Sequence, residues 1–243
     1  MVTVLATGGL GYIGSHTCIE FLRKNYNLIV IDNLLNNSTE SIQKLEKVVN
    51  EENSSLENSI IFKKGDIKDE KFLNKIFVDA KEQNNPIDGV IHFAGLKSVN
   101  ESIKIPIEYW DINVAGTINL LKVMKKNNCK TIVFSSSATI YKPKMNVLIN
   151  EESELEPLNP YGRTKLVIEK ILYDLFKESN DWRIINLRYF NPVGAHHSAL
   201  IGENPKFEPT NLFPVLMNKL SLNESVPIFG NKWPTRDGTC IRD

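Results

Sequence analysis

The sequence predicts an α/β protein built on a Rossmann-like, doubly wound parallel sheet, and three observations support this class. Short apolar runs alternate with longer helical patterns, the glycines concentrate near the N-terminus, and the prolines concentrate after Asn191. The apolar runs are nearly continuous, as in strands that are covered on both faces. They span residues 2–6, 28–31, 60–63, 89–93, 131–134 and 183–187. Alternation of such strands with helices forms right-handed βαβ units and a parallel sheet.

Helices are predicted between these strands, near residues 13–24, 40–50, 69–83, 113–126 and 160–178. In the last of them, apolar residues recur at helical spacing from Val167 to Phe176. Because six of the 11 prolines follow Asn191, the chain divides there. We expect a Rossmann domain over 1–190 and the start of a smaller, incomplete domain over 191–243.

Charge and cysteine content exclude several classes of partner. The 29 Lys and Arg residues balance 29 Asp and Glu residues, so the surface has no net attraction for nucleic acid or an anionic membrane. The three cysteines are far apart and lack CxxC spacing, which indicates neither disulfides nor a metal site and favours a cytoplasmic protein. No apolar stretch approaches the roughly 20 residues that span a bilayer. We therefore expect a small-molecule partner.

The glycine-rich turn after the first strand is typical of a dinucleotide site. Gly8, Gly11 and Gly14 form a Gly-x-x-Gly-x-x-Gly pattern that permits a tight turn, close approach of a pyrophosphate, and close helix packing. The anion would lie at the N-terminus of the first helix, where backbone N–H groups and the helix dipole favour it. By itself, the pattern also fits an ordinary tight turn between a strand and a helix.

Asp32 strengthens the dinucleotide interpretation and selects the cofactor. It ends the second predicted strand, 18 residues after Gly14, where a carboxylate accepts hydrogen bonds from the adenosine ribose hydroxyls. A carboxylate there repels a 2′-phosphate, and no arginine follows within residues 33–37. The sequence thus predicts NAD rather than NADP. Without the glycines, capping of a turn would be the simpler role for Asp32.

Tyr161 and Lys165 form the candidate catalytic pair. They stand four residues apart, on one face of the helix that Asn159 can cap and Pro160 can begin. Holding a tyrosine ionised at pH 7 requires about 4 kcal/mol. A nearby ammonium lowers the tyrosine pKa by roughly one to three pH units, and a nicotinamide cation lowers it further. Ser137 follows a strand at the sheet edge where ligands of α/β proteins bind. The alternative is a surface Tyr and Lys beside a capping serine.

The sequence resembles the UDP-glucose 4-epimerase family, in the extended branch of the short-chain dehydrogenase/reductase superfamily. The glycine turn and the Tyr-x-x-x-Lys pair identify only the superfamily. The segments His92-Phe-Ala-Gly-Leu-Lys97, Arg188-Tyr-Phe-Asn-Pro192 and Asp237-Gly-Thr239 are more specific, and the resemblance covers essentially the whole chain. It implies an NAD-dependent isomerase that interconverts UDP-glucose and UDP-galactose through a 4-keto sugar.

The resemblance also implies roles for individual residues. Tyr161 would take the proton of the sugar 4-hydroxyl, Lys165 would hold the nicotinamide ribose and keep Tyr161 acidic, and Ser137 would bond the 4-oxygen. Further NAD contacts would be Tyr12, Ile13, Asp32, Asn33, Asn36, Asn37, Asp66, Ile67, Phe93, Ala94, Gly95, Lys97, Asn113 and Phe190. Substrate contacts would be Lys97, Ser137, Tyr161, Asn191, Asn211, Leu212, Phe229 and Arg242.

Some of these positions have plainer interpretations. Asp66 follows a glycine and is also suited to a turn, and Asn113 is also suited to a helix cap. Arg242 suits a diphosphate because its guanidinium binds two oxygens at once. The histidines 16, 92 and 196 show no spacing typical of metal ligands, and we expect structural roles for them.

Two other functions compete with epimerisation. A nucleotide-sugar 4,6-dehydratase shares the fold, NAD, Tyr and Lys, but eliminates water with an acid and a base, usually in a Thr-Asp-Glu segment. Here the segment is Ser137-Ala138-Thr139, and neither Ala138 nor Thr139 performs general acid–base chemistry. A non-catalytic protein that binds NAD or a nucleotide sugar is the other alternative, which the intact Tyr161 and Lys165 disfavour.

The chain departs from the family at several positions. Lys142 and Asn100 stand where glycine is usual, and His197 replaces a proline. A side chain in place of glycine strains the backbone if φ is positive there.

Family members continue well beyond Asp243, so we expect a C-terminally truncated chain that binds NAD but turns over UDP-galactose poorly or not at all. We also expect a homodimer in the full-length form. Apolar residues expected to be exposed are Leu212, Phe213, Leu216 and Phe229.

Overall fold

The computed structural model describes residues 1–52, 60–144, 148–205, 209, 211–228 and 230–240. Its six strands are β1 (Thr3–Thr7), β2 (Asn27–Asp32), β3 (Ile60–Lys64), β4 (Ile87–His92), β5 (Thr131–Ser137) and β6 (Arg183–Tyr189). They form one sheet in the order β3-β2-β1-β4-β5-β6, and every pairing is parallel. The predicted fold class is confirmed, and each predicted strand overlaps an observed one.

Eight α-helices are present in the described residues. They are α1 (Tyr12–Arg23), α2 (Glu40–Glu52), α3 (Glu70–Glu82), α4 (Val99–Lys104), α5 (Pro106–Tyr109), α6 (Gly116–Lys126), α7 (Pro160–Glu178) and α8 (Leu212–Ser221). A π-helical segment, Trp110–Ala115, joins α5 to α6, and a 3-10 turn, Ala138–Ile140, follows β5. The five predicted helices are observed.

Three helices, α4, α5 and α8, were not predicted from the sequence. Pro106 interrupts the helical pattern and begins α5. Ile103 and Ile107 are exposed, so apolar positions in this part of the chain do not mark a face turned to the core. Helix α8 buries none of its side chains, and its apolar residues likewise form no stripe against a core.

The core lies on both faces of the sheet because side chains alternate along each strand. Leu5 of β1 joins a cluster with buried residues of α3, α6 and α7. Its neighbours Val4 and Ala6 join a second cluster with α1 and α2. The sheet is therefore covered by helices on both sides, which explains the continuous apolar runs of its strands.

The strand order reverses between β1 and β4, which lie side by side at the centre of the sheet. In open α/β sheets, ligands bind at the carboxyl ends of the strands at such a point. His92 joins the two strand ends. One ring nitrogen lies 2.6 Å from Thr7 Oγ1 and the other 2.8 Å from Thr117 Oγ1. Burial lowers the pKa of His92 to about 3, so this histidine is neutral and structural.

The chain after β6 returns across α1. The Tyr12 hydroxyl donates to Gly194 O at 2.8 Å, and Ile201 is buried in the cluster with α1 and α2. The division at residue 190 stays a prediction. Farther along, Leu212 and Phe213 are more than half exposed, as expected.

Two other exposure predictions have different outcomes. Leu216 is only partly exposed, because it lies on the less open side of α8, and Phe229 lies outside the described residues. None of the described helices has the length and apolar character needed to cross a membrane. The described residues also contain no group of three or more His, Cys, Asp or Glu arranged to hold a metal ion.

Candidate functional site

The glycine turn between β1 and α1 is crowded with backbone. Gly8 has a φ of +66°, and a Cβ built there would lie 2.6 Å from Ala94 N. A Cβ at Gly14 would lie 2.6 Å from Gly8 O. Gly11 precedes α1, and no side chain caps that helix. The turn therefore presents a helix N-terminus that no side chain caps, and it fits the pyrophosphate of a dinucleotide.

Asp32 ends β2, as predicted, and is 7% exposed. Its Oδ2 accepts from Leu10 N and from Asn37 Nδ2, each at 3.2 Å, and its Oδ1 accepts from Leu34 N at 2.9 Å. Burial raises its pKa, and these three hydrogen bonds oppose that rise. Asp32 thus joins the glycine turn to β2 and also caps the turn that follows, so the turn-capping interpretation describes real contacts, and the contact with the adenosine ribose stays a prediction.

The neighbouring positions at the ends of β2 and β3 form a second polar group. Asn33 Nδ2 donates to Asp66 Oδ2 at 3.2 Å, and Asp66 Oδ1 accepts from Lys68 N at 2.9 Å. The turn role of Asp66 is therefore present. Ile67 is buried, whereas Asn36 is exposed. Their contacts with NAD stay predictions.

The loop after β4 is held by Asn113. The backbone N–H groups of Phe93 and Ala94 both donate to Thr7 O at 2.9 Å. Asn113 Oδ1 accepts from Leu96 N at 2.8 Å, while its Nδ2 donates to Leu96 O at 3.0 Å and to Thr164 Oγ1 at 3.2 Å.

Asn113 lies inside the π-helical segment and is 1% exposed, so the helix-cap interpretation is wrong. Its two amide hydrogens are both used within the protein, which gives it a structural role in this loop. Gly95 has a φ of +154°, and a Cβ there would lie 2.9 Å from Asn113 Oδ1.

Helix α7 brings Tyr161 and Lys165 to the end of β5. It begins at Pro160, and Asn159 Oδ1 accepts from Gly162 N at 2.8 Å, as the sequence predicts. Tyr161 is 9% exposed and Lys165 is 5% exposed.

Ser137 is the last residue of β5, and its side chain is close enough to Tyr161 to lower the pKa of that phenol. Lys165 Nζ donates to Ser135 O at 2.8 Å and lies 4.8 Å from the centre of the Phe134 ring. The structure therefore brings Ser137, Tyr161 and Lys165 together.

The pKa values at this site differ from the sequence-based expectation. Burial raises the pKa of Tyr161 above 10, and the bond from Ser137 opposes the rise. Burial lowers the pKa of Lys165 to about 8. Lys165 Nζ lies 5.8 Å from the centre of the Tyr161 ring and bonds Ser135 O instead. In the protein alone, Lys165 thus does not keep Tyr161 acidic, because desolvation of the phenol dominates.

Two residues that the sequence analysis missed lie behind the pair. Glu169 is 7% exposed and accepts from Ser136 Oγ at 2.5 Å. Arg188 binds the same carboxylate through Nε at 3.1 Å and Nη2 at 2.8 Å. Glu169 follows Lys165 by four residues, on the same helix face, and that spacing was the available signal.

A third missed residue, Glu203, lies among the predicted ligand contacts. Its Oε1 is 3.3 Å from Lys97 Nζ and accepts from Asn211 Nδ2 at 2.7 Å. Its charge and the burial of Tyr12 raise the pKa of Tyr12, with burial the larger cause. Lys97 and Asn211 are far apart in sequence, and no local pattern indicates their shared partner.

The remaining predicted contacts, Phe190 with NAD and the others with substrate, are more open. Phe190 is 51% exposed and stacks on Tyr141 with ring centres 6.5 Å apart. Asn191 and Leu212 are exposed. Phe229 and Arg242 lie outside the described residues.

The departures from the family pattern are accommodated without backbone strain. None of Lys142, Asn100 and His197 has a positive φ, so the condition for backbone strain is not met at these positions. Lys142 Nζ pairs instead with Glu154 at 3.0 Å and with Glu156 at 2.7 Å.

Comparison with known proteins agrees with this geometry. A family model described as GDP-mannose 4,6 dehydratase matches residues 5–243. The UDP-glucose 4-epimerase of Dictyostelium discoideum is 47% identical over 241 residues, covering 99% of this chain and 67% of that protein.

Two solved structures are also similar. The UDP-glucose 4-epimerase of Bifidobacterium longum, in complex with NAD+ and UDP, is 44% identical with a TM-score of 0.87, covering 100% of this chain and 69% of that one. The enzyme of Stenotrophomonas maltophila, with bound NAD and formylated UDP-arabinopyranose, is 40% identical with a TM-score of 0.89, at coverages of 100% and 69%. This chain thus spans about two thirds of the length of these proteins.

Proposed function

This chain belongs to the UDP-glucose 4-epimerase family, and we propose on that premise that it interconverts UDP-glucose and UDP-galactose with NAD as its cofactor. The observation that carries the proposal is the convergence of Ser137, Tyr161 and Lys165 at the carboxyl end of β5. Strands β1, β4 and β5 are parallel neighbours, so this group lies on the same sheet edge as the glycine turn. Bound NAD supplies a hydride acceptor and donor for C4 of the sugar.

The chain's own residues handle the proton and the geometry. Tyr161 takes the proton of the 4-hydroxyl and returns it, and Ser137 bonds the same oxygen. Lys165 carries three N–H groups, of which one binds Ser135 O. We assign the others to the ribose of the nicotinamide half. Because burial keeps the phenol protonated in the protein alone, ionisation of Tyr161 belongs to the loaded site.

Dehydration is not proposed, although the matching family model carries a dehydratase name. Elimination of water requires an acid and a base beside the sugar. Ala138 has no proton to transfer, and the Thr139 hydroxyl donates to Ser137 Oγ at 3.0 Å. These two positions support Ser137 and do not supply proton carriers.

The test is the formation of UDP-glucose from UDP-galactose by the NAD-loaded protein and by Tyr161→Phe. The variant is expected to retain NAD and to lose about 10²- to 10⁴-fold in turnover, as for the removal of a general acid–base group. Tyr26→Phe, a change remote from the site, is the control. Turnover like that of the wild type in Tyr161→Phe would remove Tyr161 from the mechanism. Because this chain covers 67% of the length of its relative and its own turnover is expected to be low, absence of UDP-glucose formation both in the NAD-loaded chain and in the same chain extended to that length would refute the proposed function.

We further propose that the protein forms a homodimer through α4, α5 and α7. Helices α4 and α5 pack against α7, and exposed apolar side chains lie on these helices, with Ile103 63%, Ile107 76% and Phe176 44% exposed. Burying such side chains favours association. Sedimentation is expected to show a dimer that Ile107→Glu converts to a monomer, while Lys47→Glu on α2 leaves it unchanged. A monomeric wild type would contradict this proposal.

A further inference from the structure

The face of α7 that carries Tyr161 and Lys165 continues to Glu169. The three residues follow one another at intervals of four, which places them on successive turns of one helix face. Lys165 and Glu169 are each less than a tenth exposed. The proposed function uses the first two residues and leaves a buried carboxylate without a role.

Lys165 and Glu169 hold consecutive residues of β5. Lys165 Nζ binds Ser135 O at 2.8 Å, and Glu169 Oε1 binds Ser136 Oγ at 2.5 Å. The next residue of the strand is Ser137, the last residue of β5, whose side chain lowers the pKa of Tyr161. Two adjacent attachments therefore determine how α7 sits along β5, and with it the position of Tyr161 relative to Ser137.

Arg188 of β6 holds the Glu169 carboxylate. It binds both carboxylate oxygens, at 3.1 and 2.8 Å, in the two-pronged geometry that guanidinium groups favour. A buried carboxylate requires such a partner, because its desolvation is otherwise uncompensated. Arg188 Nη1 also donates to Tyr141 Oη and to Glu151 O, each at 2.9 Å. Glu169 is thus held in one place from α7 and from β6.

We propose that Glu169 is a positioning residue: fixed by Arg188, it anchors Ser136 and thereby sets the separation of the Ser137 hydroxyl and the Tyr161 phenol. The effect of Glu169 on catalysis rests on the proposed function. Its effect on the position of Ser137 relative to Tyr161 does not, because that effect concerns contacts within the protein and is measurable without a sugar substrate.

The first experiment therefore uses no substrate. The pKa of Tyr161 is measured by ultraviolet absorbance of tyrosinate, as the difference between a protein and its Tyr161→Phe counterpart. Ser136→Ala removes the link to Glu169 and changes no charge. Since the Ser137 bond lowers the pKa of Tyr161, loosening that bond is expected to raise it.

The titratable groups that face the Tyr161 ring are Tyr109, with ring centres 6.4 Å apart, and Lys165, and both are unchanged in this experiment. Ser179→Ala, the same substitution at the other end of α7, is the matched control and is expected to leave the pKa of Tyr161 as it is. An equal pKa in Ser136→Ala and wild type would overturn the proposal.

The second experiment measures turnover and KM for UDP-galactose. Ser136→Ala and Glu169→Gln are each expected to lower kcat about 10- to 100-fold, as for small misplacements of reacting groups, with KM within about twofold. Because both changes break one link, the double variant is expected to be no slower than the slower single variant. Additive losses, or a rise in KM with kcat retained, would refute the positioning role.

The two experiments separate the inference from the proposed function. If the wild type forms no UDP-glucose, either as this chain or in its extended form, the proposed function is refuted, and the titration of Tyr161 still tests whether Glu169 sets the position of Ser137. If Glu169→Gln does not fold because Arg188 is left uncompensated, Ser136→Ala removes only a hydroxyl and decides both measurements.

Discussion

Replacing Lys165 with methionine is expected to change how the stability of the protein depends on pH. In the folded protein, burial lowers the pKa of Lys165 from its ordinary 10.5 to about 8. Below pH 8 the ammonium is charged in the folded and unfolded states alike, so the folded protein bears the full free-energy cost of burying this charge. Between about pH 8 and 10.5 the folded protein has lost this proton and the unfolded chain still binds it, so stability rises with pH.

The size of the effect follows from the two pKa values. Each pH unit between the two pKa values corresponds to about 1.4 kcal/mol, so the whole interval is worth about 3 kcal/mol, and most of it appears between pH 7 and pH 10. Lys165 is 5% exposed, so solvent screens the interaction little. The methionine variant lacks this contribution at every pH.

The assay is urea unfolding of cofactor-free protein at several pH values. The free energy of unfolding of the wild type, minus that of Lys165→Met, is expected to increase by about 2 to 3 kcal/mol from pH 7 to pH 10. Groups such as Cys18, whose pKa is raised by burial to about 12, titrate in both proteins and cancel in the difference. Lys170→Met alters an exposed residue of the same helix and serves as the control. A difference that is independent of pH, or that falls as pH rises, would refute the reasoning.

Two further predictions concern the local geometry. Gly14→Ala places a Cβ 2.6 Å from Gly8 O and 2.8 Å from Gly9 Cα, so the turn must open. We expect the variant to lose about 1–3 kcal/mol in stability and to bind NAD more weakly in calorimetric titration. An unchanged affinity for NAD would contradict the pyrophosphate site. Asn159→Ala removes the cap on Gly162 N and is expected to destabilise the protein by about 1 kcal/mol in thermal unfolding, with no loss if α7 does not depend on that cap.

The sheet was predictable from sequence because burial on both faces leaves a mark on each strand. The two central strands, β1 and β4, are covered by helices on both faces of the sheet, so their runs of apolar residues are unbroken. Helices α4 and α8 show no comparable apolar pattern in the sequence. Ile103 of α4 and Met217 of α8 are both more than half exposed, so their apolar positions do not record a contact with the core.

The candidate site was predictable to the extent that its residues share an element. Tyr161 and Lys165 are one helical turn apart, and their spacing alone places them together. Glu203 binds Lys97 across 106 positions of sequence, and no pattern within a window reports such a contact. The pKa of Tyr161 in the protein alone could not be predicted from spacing for a similar reason, because it is governed by desolvation, which depends on packing from several elements.

The 3-10 turn after β5 determines what Ser137 does in the site. Thr139 donates to Ser137 Oγ twice, through its N–H at 3.2 Å and its hydroxyl at 3.0 Å. A serine oxygen accepts two hydrogen bonds and donates one, so with both acceptor positions used its own hydrogen must point to another oxygen. Ser137 lowers the pKa of Tyr161, which agrees with a hydroxyl hydrogen directed toward the phenol oxygen, because a donor there favours the ionised form. The Ser-Ala-Thr segment therefore leaves the Ser137 hydrogen available to an oxygen at the site, which agrees with the proposed proton transfer at the sugar 4-hydroxyl, and it provides no second acid for elimination.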